Sequence, residues 1–230
     1  MDASFFIALG LVLLFTIGPV LLIVFLISFS LKSSQKKAAE FDGAMLTRIR
    51  MNDPYFNPES FKVSAGICVR EVFNCFYNLD IERLRVLESS DLFEIHKADI
   101  ETGLISGHLL ILDLPPNMNF RINGYYIDGD KEIISCSASI TSMEKEIDPR
   151  TKEELGDGVP SFVLHTMNLE FARHLGVKTV NGREFAIKQC PNCGADISIT
   201  TYGKCSYCDS VVVNGEHSWV LNKISDFYTN

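Results

Sequence analysis

The chain has 230 residues, 47% of them hydrophobic and 22% charged, which is enough apolar side chain for a substantial core. Its formal net charge of −8 disfavours a polyanion such as nucleic acid as a partner of the whole molecule. The mean hydropathy of +0.13 is slightly high for a soluble protein, and the first 31 residues account for it.

Phe5 to Leu31 carry no charge. As a helix they would run roughly 40 Å, more than the ~30 Å hydrocarbon core of a bilayer requires. Gly18-Pro19 interrupts the run, which membrane helices tolerate better than soluble ones. A cleaved secretory signal starts with a basic segment and has a shorter apolar core. Here the leader holds Asp2 and neither Lys nor Arg. Residues 1–31 are therefore expected to be an uncleaved transmembrane anchor. Lys32, Lys36, Lys37, Arg48 and Arg50 follow it and no basic residue precedes it. The positive-inside rule then gives a single-pass protein of the cell membrane, N-terminus outside and the bulk cytoplasmic. Glu40 and Asp42 dilute the basic cluster, so residues 32–52 read as a juxtamembrane linker that fixes topology.

Pro54 and Pro58 mark an extended entry to the next region. Phe61, Ala65, Cys68, Val69, Val72, Phe73 and Phe76 then recur at helical steps and predict one amphipathic, core-facing helix. The stretch 78–80 breaks it, and Ile81, Leu84 and Leu87 begin a shorter helix. Ser89, Ser90 and Asp91 offer caps for a third, with Glu94 placed three after Asp91 as in a capping box. Cys68 and Cys75 lie roughly 10 Å apart along the first helix, beyond the ~7 Å that a disulfide spans. With Cys136 they read as buried or free thiols in a reducing compartment, which agrees with the cytoplasmic assignment.

After Gly107 the period changes to two. Residues 120–142 alternate around a turn at Asp128-Gly129-Asp130, with Ile134, Cys136, Ala138 and Ile140 on one face. Val163, His165, Met167, Leu169 and Phe171 share a face of a further strand, and the polar stretch 144–160 joins the two. Residues 108–114 fit a strand or a helix tail equally well. The pattern predicts an α+β domain, one curved antiparallel sheet with helices on one face. His165 sits on the apolar register, where a lone His is usually a hydrogen-bonded core residue. His96, His108, His174 and His217 show no spaced carboxylate or Cys partner, and neither a phosphate loop nor a nucleophile elbow occurs. No catalytic residue is assigned, and the chain is expected not to be an enzyme.

The run from Phe61 to Leu92 resembles the Tim-forty-four-like domain family, through Phe61, Phe73, Phe76, Asp80, Leu84, Arg85, Ser90, Asp91 and Leu92. The founding member of that family is the membrane-associated motor anchor of the mitochondrial inner-membrane translocase. The resemblance covers roughly residues 53–175 and implies a nuclear-transport-factor-two-like cone, with helices on a bent sheet around an apolar cavity. It also implies a non-enzymatic role connected with protein transport. One membrane helix, this domain and a four-cysteine segment together resemble proteins described as zinc-ribbon-containing transport proteins. The cone is assigned to residues 53–182, with a candidate ligand pocket lined by Phe73, Phe76, Val163, His165 and Met167.

Residues 183–230 hold the strongest chemical signal. Cys190 and Cys193, then Cys205 and Cys208, form two Cys-x-x-Cys knuckles around a segment containing Gly203. Four thiolates suit one structural, tetrahedral Zn²⁺ and leave no open coordination position for water. Metal binding would fold a segment too small to make its own core. Four basic residues against five acidic ones give this region no phosphate-binding excess. Trp219, Val220, Leu221 and Ile224 are expected to dock it on the main sheet. The chain thus reads as a membrane-anchored, zinc-ribbon-bearing binding or scaffold protein for a protein partner or apolar ligand. The alternative is a small-molecule-binding or enzymatic cone, which would place His165 beside a carboxylate in a polar-floored cavity.

Overall fold

The computed structural model describes residues 40–115, 118–156, 161–179 and 218–228, with isolated positions elsewhere. The chain divides into two compact units, Met1–Thr47 and Arg48–Asn230. In the first, Val20, Ile23, Val24, Leu26, Ile27 and Phe29 are helical and each is more than half exposed. Among the described residues no helix is long and apolar enough to cross a membrane. The expected span from Phe5 to Leu31 lies mostly outside the described residues.

The second unit is α+β. Helix α1 (Pro58–Asn78) opens with Pro at its first position, and the Asn57 side chain accepts from the amides of Glu59 (2.9 Å) and Ser60 (3.1 Å). Phe61, Ala65, Cys68, Val69 and Val72 face the core as the periodicity predicts, joined by Gly66 and Cys75. Leu79 ends the helix in the left-handed region (φ 58°), its amide donating to the carbonyls of Cys75 and Phe76. Asp80 caps α2 (Ile81–Leu87) by accepting from the Arg83 amide at 3.0 Å. Helix α3 (Ser90–Ser106) departs from the expected capping box. Its N-cap is Ser89, whose hydroxyl donates to the Asn222 carbonyl (3.4 Å) and makes no cap bond, while Asp91 lies inside the first turn. Asp91 there complements the positive end of the helix instead.

The strands are β1 (Leu109–Asp113), β2 (Phe120–Asp128), β3 (Lys131–Ile147), β4 (Ser161–His174) and β5 (Val220–Tyr228). Residues 109–113 are thus a strand, and β3 runs five residues further than its alternation suggested, to Ile147. All pairings are antiparallel, and β3 is the hub. β2 pairs with its first half and β1 with its last residues along one edge, β4 lies on the other, and β5 pairs with β4. Straight, the 17 residues of β3 would span roughly 55 Å. Strand twist instead curls the sheet into a cone-like half-barrel. The buried positions of β3 accordingly shift from the even register, Glu132 to Ser142, to Ile147 at its end. A bulge between Ile122 and Gly124 adds to the bend, and a Cβ at Gly124 would meet Ser135 Oγ at 2.8 Å.

The inward face of the sheet packs against α1. The Phe61 ring stands edge-on to Phe171 (5.5 Å, 84°) and to Trp219 (5.6 Å, 80°). Trp219, Val220 and Leu221 are buried, and Val220, Leu221 and Ile224 lie on β5, which pairs with β4; the cysteine segment that they were expected to dock lies mostly outside the described residues.

Candidate functional site

Several buried polar groups organise the cone, and the tightest cluster joins four segments. Arg173 on β4 is 2% exposed, and Asp53 and Glu132 are fully buried. The guanidinium donates through Nε (3.0 Å) and Nη2 (2.8 Å) to Glu132 Oε2, and through Nη1 (2.8 Å) to Asp53 Oδ2. Asp53 Oδ2 also accepts from the Thr179 amide (3.0 Å) and hydroxyl (2.6 Å). The guanidinium carbon lies 4.4 Å from the Trp219 ring centroid, a cation–π contact. Burial alone would raise the Asp53 carboxyl, but hydrogen bonds from Thr179 and Arg173 and the charge of Arg173 hold it below the usual carboxylate range. Thr179 and Trp219 flank residues 180–217, so the segment carrying the four knuckle cysteines leaves and rejoins the sheet at this one cluster.

A second pair was not legible as a pair. Glu88 Oε1 lies 2.6 Å from His96 Nδ1, the Glu88 side chain fully buried and the His96 side chain 12% exposed. Burial pushes the Glu88 carboxyl up, against the opposing pull of His96. The His96 ring meets Phe76 edge-on at 5.0 Å. Glu88 bridges to Leu221, and the Ser89 amide donates to the Leu221 carbonyl at 2.8 Å, so this corner fastens the helices to β5. Glu88 precedes α3 and His96 lies inside it. The usual three- and four-residue spacings of a helix do not connect them.

The five expected pocket residues fall in two places. Phe73 lines a pocket of about 270 Å³ together with Asn74 and Tyr77 of α1, Ile111 and Asp113 of β1, Lys145 and Ile147 of β3, and Lys152 and Glu154 beyond it. Lys145 pairs with Glu154 at 2.7 Å. Lys152 donates to the Tyr77 carbonyl and lies 5.1 Å from that ring's centroid. Phe76 packs beside this pocket on Leu109, Ile111 and Ile147. Val163, His165 and Met167 share the inward face of β4, His165 and Met167 buried and Val163 half-buried. His165 faces Ile140 across the ladder, seven residues along β3 from Ile147, a distance of roughly 20 Å along the strand. His165 Nε2 stands 3.6 Å from Glu144 Oε1.

Of the expected metal ligands, Cys190 and Cys205 lie outside the described residues. Cys193 and Cys208 both occupy turns, the first exposed and the second half-buried. Turns are what a metal knuckle needs, and an all-thiol donor set suits Zn²⁺. Among the described residues no group of three or more His, Cys, Asp or Glu could hold a metal ion. Cys68, Cys75 and Cys136 are buried, unbridged thiols. Burial raises all three, Cys75 and Cys136 to about 12, which leaves them unreactive.

No known family pattern and no curated protein matches this chain.

Proposed function

We propose that the chain is a membrane-tethered binding protein, in which an N-terminal span holds a Tim-forty-four-like cone and a zinc ribbon at the cytoplasmic face. The observation that carries this reading is the pocket of about 270 Å³, with an apolar wall of Phe73, Ile111 and Ile147 and a rim of both charges. Such a cleft suits one large apolar group offered by a protein partner or ligand, with Lys145, Lys152, Asp113 and Glu154 orienting its polar part. The exposed apolar helical residues between Val20 and Phe29 support the anchor. Cys190, Cys193, Cys205 and Cys208 would hold one Zn²⁺, which supplies folding energy to the ribbon and no reaction chemistry. The role is non-enzymatic and, by resemblance, connected with protein transport.

The test is photo-crosslinking from position 77 of the full chain in intact membranes, with residues 1–52 alone as control. Recovery of a discrete adduct that Phe73→Asp abolishes supports the reading. Labelling no stronger than in the control removes it. A second reading, a cone that binds a small molecule, is favoured by His165 standing 3.6 Å from the Glu144 carboxylate.

A further inference from the structure

The cleft between the end of α1 and the sheet holds four charged side chains, and they are not equivalent. Its floor is β1 and the end of β3, where Ile111 faces Lys145 and Asp113 faces Met143. Ile147 bridges to Glu154, four residues along β3 from Met143, so the floor runs roughly 13 Å from Asp113 to Glu154. Lys145 is already neutralised. It pairs with Glu154 at 2.7 Å, and that bond, with Asp113 adding to it, pushes the ammonium above the ordinary lysine range. Lys152 is the opposite case. Burial alone moves its ammonium, to below that range, and among the described residues no carboxylate pairs with it. It donates to the Tyr77 carbonyl, a neutral acceptor, and lies over the Tyr77 ring. That spends one of its three N–H groups. Lys152 also holds a left-handed backbone, φ 64°, fixed by its amide donating to the Asp148 carbonyl at 2.8 Å. Glycine would relieve that backbone and lose the charge, so strain and charge come together at the rim of the cleft.

The chemistry of the occupant follows from that imbalance. The uncompensated cation calls for one anionic group. Asp113 and Glu154 outnumber Lys145, so a second negative charge is repelled while N–H donors are accepted, above all at the exposed Asp113. Phe73, Ile111 and Ile147 offer the apolar wall. A peptide that ends in a free carboxylate supplies all three: one terminal charge, a last side chain and the backbone N–H groups behind it. A free fatty acid has no donor for Asp113, and a phosphate brings too much charge. We propose that the cleft takes the C-terminal end of a partner protein, its terminal carboxylate on Lys152, its last, large apolar side chain against Phe73, Ile111 and Ile147, and the preceding backbone N–H groups toward Asp113. This rests on the reading of the cleft as the partner site and names what the partner offers to it.

The experiment uses the full chain in lipid nanodiscs and follows fluorescence anisotropy of an N-terminally rhodamine-tagged Ser-Gly-Ser-Leu-Phe peptide, as the free acid and as the C-terminal amide. The acid is expected to bind saturably and the amide at least about tenfold weaker, the loss of one charge-assisted contact. Lys152→Gly, which suits the left-handed backbone, should bring the acid down to the level of the amide, and Lys152→Arg should restore the preference. Equal binding of acid and amide overturns the proposal, as does no saturable binding of either. Displacement of the tagged acid by octanoate at a lower concentration than by the untagged peptide makes a free acid the occupant and overturns it as well. The ratio of acid to amide is read on the unmodified protein, so a variant that fails to fold leaves the test standing. Crosslinking from position 77 in intact membranes is scored beside it. A discrete adduct together with equal acid and amide binding spares the tethered reading and strikes the carboxylate alone, whereas neither adduct nor peptide binding strikes both.

Discussion

Replacing Arg173 by Met should cost the cone roughly 3–5 kcal/mol, the range for removing one partner of a buried ion pair. The substitution deletes three hydrogen bonds of 2.8–3.0 Å and the cation 4.4 Å from the Trp219 ring centre. Asp53 keeps its two bonds from Thr179, but Glu132 loses both of those to Oε2, and its Oε1 has no hydrogen-bond partner among the described residues. Two fully buried carboxylates then share a site without a cation. Against a domain stability of about 5–15 kcal/mol, that is a large fraction. At about 2–4 °C per kcal/mol for a unit of this size, the melting temperature falls by roughly 6–20 °C. Urea unfolding followed by fluorescence of Trp219, the single tryptophan, gives the number directly. Adding Glu132→Gln to Arg173→Met should recover part of the loss, because one orphaned charge is removed. A single-variant loss under about 1 kcal/mol would refute the reasoning, since it would mean that the carboxylates are solvated in the folded protein.

The same method tests the pH dependence of the two buried acids. Asp53 is held below the ordinary carboxylate range, so its contribution is present above that range and is lost as pH falls through its lowered value. Asp53→Asn should therefore cost less in acid than at neutral pH. Glu88 is shifted the other way, so its contribution is present in acid and is lost as pH rises through its raised value; the parent should gain on Glu88→Gln as the solution is acidified. Gly124→Ala should destabilise the sheet by about 1–3 kcal/mol through overpacking on Ser135 Oγ, and Ser135→Ala should restore part of it. Elemental analysis of the purified chain should give one zinc per molecule, and Cys193→Ser should lower it; an unchanged metal content would remove the ribbon assignment. Deleting residues 1–31 should release the chain from sedimented membranes, and retention in the pellet would contradict the anchor.

The helices were legible because their apolar residues repeat on a face wide enough to bury. Phe61, Ala65, Cys68, Val69 and Val72 are all core residues of α1. The strand faces were legible for the same reason, from Ile134 to Ile140 and from His165 to Phe171. What failed was local competition. Ser89 could cap α3 by itself, but its hydroxyl bonds to Asn222, a residue 133 positions away that no local pattern includes. The Phe73 pocket was half-read, because a period of two says which residues face inward but not where twist carries them along a long strand. Phe73 is half-buried at the pocket and His165 is buried on the sheet, so the two serve different places. The Asp53–Arg173–Glu132 cluster was invisible for a simpler reason. Charged residues spaced by 41 and 120 positions carry no periodic signal, and only the finished sheet brings them together.

That cluster has an engineering consequence. Because Thr179 and Trp219 are held by one guanidinium–carboxylate knot, whatever lies between them is a graft on a closed stem rather than a spacer under tension. Doubling the length of such a graft adds only about 0.6 kcal/mol of closure entropy. A short glycine-serine bridge, a reporter domain or a foreign metal-binding hairpin should be accepted there while the sheet beneath keeps its strand order.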